Sequence, residues 1–291
     1  MLETACTFDR AGAVAEEKLF EPGPASAPGP GSPPPALVKP LAFGAWDETA
    51  LVGVAACASR WLRVLAVVPA ARRRGFGSAL LAACETAARS AGETRMSALD
   101  QPGNYLAPGI DERNVESIAW LERRGWARKP EVRMNVLIDV RGNERVSIER
   151  AARAAEKATE RGYEIRRARR DETALLAAVA SEFGGAWPFE LERALAYEPA
   201  GVHVAMKDGT YCAFAAHDGN NQGAGWFGPT GTWPAHRGQG LGEALLLACL
   251  VDVGTAHSRC EIAWIGPRPF YEKVAGVASE RRFVVIGRQL T

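Results

Sequence analysis

One short loop motif occurs twice in this chain. Val68-Pro69-Ala70-Ala71-Arg72-Arg73-Arg74-Gly75-Phe76-Gly77 and Trp233-Pro234-Ala235-His236-Arg237-Gly238-Gln239-Gly240-Leu241-Gly242 share the form Pro-x-x-Arg-x-x-Gly-x-Gly. A β-like segment precedes each copy. An apolar, helix-like run follows, Ser78-Ala79-Leu80-Leu81 in one and Glu243-Ala244-Leu245-Leu246 in the other. Arg72 and Arg237 lie 165 residues apart, which predicts one domain plan used twice. The chemistry open to such a loop is narrow. A strand that stops at proline and opens a helix leaves the first helical amides without partners. Those amides, with the positive end of the helix dipole, form an anion site. Glycine lets the backbone approach a diphosphate and accepts positive φ, and arginine adds a forked, permanent cation.

Other phosphate loops do not fit. There is no Gly-Lys-Ser/Thr, which disfavours a P-loop nucleotide site. A dinucleotide fingerprint needs Gly-x-Gly-x-x-Gly, whereas the chain has Gly75-x-Gly77-x-x-Leu80 and Gly238-x-Gly240-x-Gly242. Basic residues (35 Lys plus Arg) nearly cancel acidic ones (34 Asp plus Glu), so no broad nucleic-acid footprint is expected. The basic cluster Arg72-Arg73-Arg74 is local, as a phosphate loop requires. Cys6, Cys57, Cys84, Cys212, Cys249 and Cys260 lack metal-finger spacing, and His203, His236 and His257 lack ligand spacing, so no metal is expected. With no membrane-length apolar run and no apolar signal core, a cytoplasmic protein is expected.

A chain of 291 residues suits two domains. Residues 1–36 read as an N-terminal segment, with a short helix near 11–19, and a connector. Eight prolines fall between Glu21 and Pro40, a composition that predicts an extended linker dispensable to the fold. Residues 37–141 form the first unit: strands at 37–46, 50–58 and 61–68, a helix at 76–91, a strand near 94–100, a helix near 114–124 and two strands between 126 and 139. The loop from Asp100 to Asp111 is long enough to serve as a lid or binding loop, or as a turn-rich connection. Residues 142–162 read as a connecting helix. Residues 163–291 form the second unit, with a strand at 163–169, a helix capped by Asp171, a helix at 188–197 and strands near 201–207, 210–217 and 224–232. A helix at 240–256, a strand at 259–265, a helix at 268–275 and a last strand at 281–290 complete it. The fold class is α/β, two mixed-sheet units in tandem, the first with a shortened or atypical N-terminal part.

The doubled loop, between a strand and a helix, resembles the acyl-CoA signature of the GNAT superfamily of N-acyltransferases. Asn114 to Trp126 and Gly266 to Gly276 resemble that family's later helix, the second in its Phe-Tyr-Glu-Lys form. The resemblance covers about residues 37–140 and 163–291. It implies a tandem GNAT protein that uses acetyl-CoA and acylates the amine of a small molecule. Arg72, Arg73, Arg74, Gly75, Phe76 and Gly77 would hold CoA in the first unit, and Arg237, Gly238, Gln239, Gly240, Leu241 and Gly242 in the second. A backbone amide near Val67 or Val68, and near Gly231 or Thr232, would support the thioester carbonyl.

Acyl transfer also needs a neutral amine and a proton for the departing thiolate. The resemblance offers Tyr271 as the acid. Counting back from Gly125 and Gly276 aligns it with Trp120, whose indole is no proton source. Catalysis is therefore expected in the second unit. A catalytic first unit and a non-catalytic CoA-binding scaffold stay open as alternatives. Glu190, Glu192, His217 and Glu261 are candidate bases, and a water relay is a further alternative.

Overall fold

The computed structural model describes residues 1–290 in two compact units. Unit 1 comprises Met1–Ser26, Pro35–Met134 and the chain from Arg281 onward. Strands Leu41–Asp47, Ala50–Ala58 and Trp61–Val67 are antiparallel neighbours, and Arg95–Ala98 runs parallel to the last of them. Helix Phe76–Ser90 buries Leu80, Leu81, Cys84 and Ala88. These pack with Leu62, Met96, Ile118, Trp126 and Ile286 in one apolar core.

Unit 2 comprises Ala27–Pro34 and Asn135–Glu280. Strands Glu164–Arg167, Val202–Lys207, Thr210–His217 and Trp226–Thr232 are antiparallel in that order, and Arg259–Ile262 runs parallel to Trp226–Thr232. Successive side chains of a strand point to opposite faces, and strand Thr210–His217 shows the result. Phe214 and Ala216 join Leu175, Val179, Leu191 and Leu195 of helices Thr173–Glu182 and Trp187–Leu195. Ala213 and Ala215 join Leu241, Leu245, Leu250 and Tyr271 on the side of helices Leu241–Ala256 and Arg268–Ala275.

The units divide differently from the boundaries expected of the sequence. The last strand, Ser279–Gln289, pairs with Arg95–Ala98 through Gly287, Arg288 and Gln289, so the chain's C-terminus completes unit 1. In place of two strands between 126 and 139 there is one, Ala127–Asp139. Its end, from Val136 to Asp139, pairs with Arg259–Ile262 and completes unit 2. Each unit is thus closed by a strand that sequence order assigns to the other.

The proline-rich stretch is also structured. Gly23–Pro24 pairs with Leu37–Val38, and Leu2, Ala11 and Val14 are buried in unit 1. Lys18 Nζ donates to Glu17 Oε1 (2.6 Å) and Asn104 Oδ1 (2.9 Å), while Arg63 donates to the carbonyls of Glu17 (3.1 Å) and Glu21 (2.6 Å). Residues 27–34 belong to unit 2, where Gly31 N donates to Ala180 O (3.0 Å) and Gly185 N to Pro28 O. Proline has no N–H to satisfy, but its carbonyl still accepts, and its fixed φ makes an extended segment cheap to order. A smaller difference lies at helix Thr173–Glu182, whose N-cap position is Glu172 and not Asp171.

Candidate functional site

In both units the parallel strand pair is very short. Trp61 and Leu62 pair with Ser97 and Ala98, and Trp226 and Phe227 pair with Glu261 and Ile262. Beyond these positions the two strands are no longer paired. The end of Trp61–Val67, and likewise that of Trp226–Thr232, therefore has a gap in the pairing along that edge. Amides alternate in direction along a strand. Val68 N donates to Val52 O (2.9 Å) and Trp233 N to Cys212 O (3.0 Å), so these amides are used within the sheet. Gly231, two residues before Trp233, turns its amide the same way. Val67 and Thr232 turn theirs into the gap.

The carbonyls of Val67 and Thr232 face the same way, and each is capped by the motif arginine. Arg72 Nε donates to Val67 O and Arg237 Nε to Thr232 O, both at 3.2 Å. The arginine braces the strand end beside the outward amide, a task that the motif alone does not disclose. Arg72 also donates to Ala5 O (3.1 Å), and Arg74 forms a two-pronged, exposed ion pair with Asp47 (2.6 and 2.9 Å). Of the three arginines in the first loop, two are tied to protein groups.

The loops themselves have matched backbones. Arg73 and Gly75 have φ of 63° and 94°, and their counterparts Gly238 and Gly240 have 74° and 83°. Gly75 and Gly240 are the N-caps of helices Phe76–Ser90 and Leu241–Ala256. The first helical bonds are Ala79 N to Gly75 O and Ala244 N to Gly240 O. The amides of Phe76, Gly77 and Ser78, and of Leu241, Gly242 and Glu243, therefore have no intrahelical acceptor. Arg161 Nη1 donates to Gln239 O (2.7 Å) and so fastens the second loop from outside.

Packing revises the alignment of the later helices. A β-carbon on Gly77 would lie 3.5 Å from the Trp120 ring, and one on Gly242 would lie 3.5 Å from the Phe270 ring. The counterpart of Trp120 is thus Phe270, and Tyr271 corresponds to Leu121, each buried in its own unit's core. Counting from the terminal glycines misaligned them by one residue because helix Arg268–Ala275 runs straight to its C-cap Gly276, whereas Val115–Glu122 ends three residues before Gly125. Unit 1 therefore carries no phenol at this place. Tyr271 packs edge-on to Phe270 at 5.1 Å, and its hydroxyl has no hydrogen-bond partner among the described residues. Burial pushes the phenol up to about 12, so it keeps its proton through the neutral range.

The candidate bases separate clearly. His217 Nδ1 lies 2.9 Å from Asp218 Oδ2, and its Nε2 lies 3.5 Å from Asp252 Oδ2. Burial opposes charge on this imidazole, but the hydrogen bond to Asp218 and the nearby carboxylate of Asp252 outweigh it and push the pKa up to about 9. Protonated at neutral pH, His217 has no free lone pair for an incoming ammonium. Asp252 also binds His203 Nε2 (2.7 Å) and Arg167 (2.7 Å), which hold its carboxyl well below the usual range against the cost of burial. Glu190 is buried and Glu192 exposed on helix Trp187–Leu195. Cys260 and Ile262 enter the core beside helix Leu241–Ala256, so alternation turns Glu261 to the opposite face. There Asn135 Nδ2 donates to Glu261 Oε1 at 2.6 Å.

The segment from Asp100 to Asp111 is no lid. Most of it is buried, with Gln101 Nε2 on Pro24 O (3.1 Å), Asn104 Nδ2 on Pro22 O (3.0 Å) and Asp111 paired with Arg113 and Arg281. Among the described residues, no group of three or more His, Cys, Asp or Glu side chains is placed to hold a metal ion. Nor is any helix long and apolar enough to cross a membrane.

The model of the acetyltransferase (GNAT) family matches residues 28–126 and again 163–277. No curated protein matches the chain. Solved structures do. A fungal multi-domain GH3 β-N-acetylglucosaminidase with a GCN5-related glucosamine N-acetyltransferase region is 16% identical, with a TM-score of 0.64 over 85% of this chain and 33% of the other. This chain thus spans about a third of that protein. A tandem GNAT protein from the clavulanic acid biosynthesis pathway is 18% identical, with a TM-score of 0.61 over 90% of each chain. A GCN5-related N-acetyltransferase from Sphaerobacter thermophilus is 16% identical, with a TM-score of 0.54 over 84% of this chain and 83% of the other. At these identities the likeness is one of fold.

Proposed function

The chain belongs to the acetyltransferase (GNAT) family, and on that premise we propose that it transfers an acetyl or other short acyl group from acyl-CoA to the amine of a small molecule, with unit 2 catalytic. The observation that carries the choice of unit is the pairing of Tyr271 with Leu121. Both loops have the geometry of an anion site, but at this position of the later helix unit 2 has a protonated phenol and unit 1 has Leu121.

In this reading the pyrophosphate of CoA rests on the amides at the start of helix Leu241–Ala256, where the helix dipole and the positive φ of Gly238 and Gly240 favour it. The thioester lies in the gap, its carbonyl oxygen accepting from Thr232 N while Arg237 keeps the strand end in place. Glu261 is our assignment for the base. It takes a proton from the acceptor's ammonium, and the free amine attacks the thioester carbon. As the tetrahedral intermediate collapses, the C–S bond breaks, the phenol of Tyr271 donates a hydrogen bond to the leaving sulfur, and the proton that the attacking nitrogen must still shed passes to that sulfur. The amide and free CoA are the products. In unit 1 the same loop with Leu121 in place of the phenol suits a structural or regulatory CoA site.

A thiol-release assay with acetyl-CoA and a panel of small amines tests this reading, run on the wild type and on Gly240→Val and Gly75→Val. Both substitutions force a β-branched residue into a left-handed position. The expected result is that Gly240→Val abolishes turnover and Gly75→Val leaves it. The reverse pattern would move catalysis to unit 1, and no turnover with any acyl-CoA would leave a non-catalytic protein.

A further inference from the structure

Helix Ile148–Thr159 links the end of one strand to the start of another, and it lies outside both stretches matched by the family model. Its cations are ordered. Arg150, Arg153 and Lys157 recur at helical spacing on one side, and Arg161 follows the helix end. These four residues line one cavity of about 360 Å³ together with Gly238, Gln239 and Gly240 of the unit 2 loop, and the sole carboxylate on its wall is Glu243.

The four are not equivalent. Arg150 is committed, donating to Arg145 O (2.7 Å) and Val274 O (3.1 Å) and lying 3.6 Å from Glu243. Arg161 spends one N–H on Gln239 O. Arg153 and Lys157 are exposed and make no hydrogen bond or close ion pair among the described residues, although Glu149, one turn back, senses the charge of Arg153. The helix dipole accounts for Lys157 in the last turn. It does not account for Arg153 in mid-helix, nor for both residues standing beside the glycine turn. Gathered like charges repel unless an anion lies among them.

We propose that Arg153, Lys157 and Arg161 form a second phosphate grip in unit 2, which takes the 3′-phosphate at the adenosine end of CoA. The proposal rests on the reading of unit 2 as a CoA site. The loop amides suffice for the pyrophosphate, and the 3′-phosphate is the remaining anionic group of CoA. A flexible ammonium and two forked guanidiniums suit a dianionic phosphate.

The test compares CoA with dephospho-CoA, which lacks only that phosphate, by titration calorimetry on the full chain. The unit 2 site is identified as the one lost in Gly240→Val. Wild type should prefer CoA by about tenfold or more, the scale of one charge-assisted hydrogen bond. Arg153→Gln with Lys157→Gln should bring the two ligands within about twofold by weakening CoA alone, the scale left when that bond is gone. Arg153→Lys should keep the preference. The substituted positions are exposed, and an unchanged melting curve confirms the fold. A preference that survives the double substitution, or that wild type lacks, overturns the proposal while the CoA reading stands. Failure of both ligands to bind the full chain removes that reading, and the proposal with it.

Discussion

Replacing Tyr271 by phenylalanine removes one oxygen atom and separates chemistry from folding. The hydroxyl has no hydrogen-bond partner among the described residues, so its removal leaves no buried group unpaired. The ring keeps its place against Phe270 and the core around Leu241 and Leu245. The cost in stability should stay within about 0.5 kcal/mol, which for a unit of this size moves the melting temperature by less than about 2 °C. The effect on rate should be far larger. The phenol, held at about 12, stays protonated at every working pH. An ordinary thiol ionises near ~8.5, so the phenol acts by donating a strong hydrogen bond as the C–S bond breaks and not by acidifying the medium. Loss of a positioned donor typically lowers kcat by about 10²- to 10³-fold, or roughly 3–4 kcal/mol in the barrier. The interaction is made only in the transition state, so kcat and kcat/KM should fall together and KM should hold. Steady-state thiol release, with single-turnover rates to exclude slow product release, measures both. A variant within about threefold of wild type, at unchanged melting temperature, would refute the assignment, since a rate-limiting donor cannot be worth so little. A severe loss in Trp120→Phe beside a normal Tyr271→Phe would place the chemistry in unit 1.

Other outcomes follow from the same structure. His217, raised to about 9 by Asp218 and Asp252 despite burial, contributes stability that is complete below its unfolded pKa and lost as pH rises through 9. Urea unfolding at pH 6 and pH 9.5 should show unit 2 losing on the order of 3 kcal/mol more in wild type than in His217→Gln; parallel losses would remove the ion pair from the account. Deleting residues 1–36 should abolish cooperative melting of unit 1, because Lys18 and the carbonyls that hold Arg63 leave with the segment. A truncated chain that melts normally would return the segment to the role of a dispensable linker. Arg73 sits at φ 63° where unit 2 has Gly238, so Arg73→Gly should relieve strain of about 1 kcal/mol, partly offset by glycine's greater freedom when unfolded. A melting temperature lowered by several degrees would show that the Arg73 side chain holds something in place.

The two loops were legible in the sequence because their signals are local. Pro69 and Pro234 stop a strand, Gly75 and Gly240 take the left-handed φ that opens a helix, and the apolar rows after them define one buried face. The repeat at 165 residues extended this to a paired architecture. Even the capping of Val67 and Thr232 by Arg72 and Arg237 repeats at the same interval, though what the arginines bind was not readable from their spacing. Strand exchange could not be read at all. Ala127–Asp139 and Ser279–Gln289 are both long strands, each placed after a similar helix, and the sequence offers no reason to prefer one sheet edge over the other. Pairing partners are chosen by side chains far apart in sequence, as when Arg288 meets Met96. For the same reason composition misjudged residues 21–36. Proline density reports what a segment cannot do alone, whereas Gln101, Asn104 and Gly185 supply donors for its carbonyls only once the units have folded. The assignment of Tyr271 divides along the same line. Its residue type was visible in the chain, but that Leu121 and not Trp120 stands in its place was decided by which ring packs under Gly77 and which under Gly242.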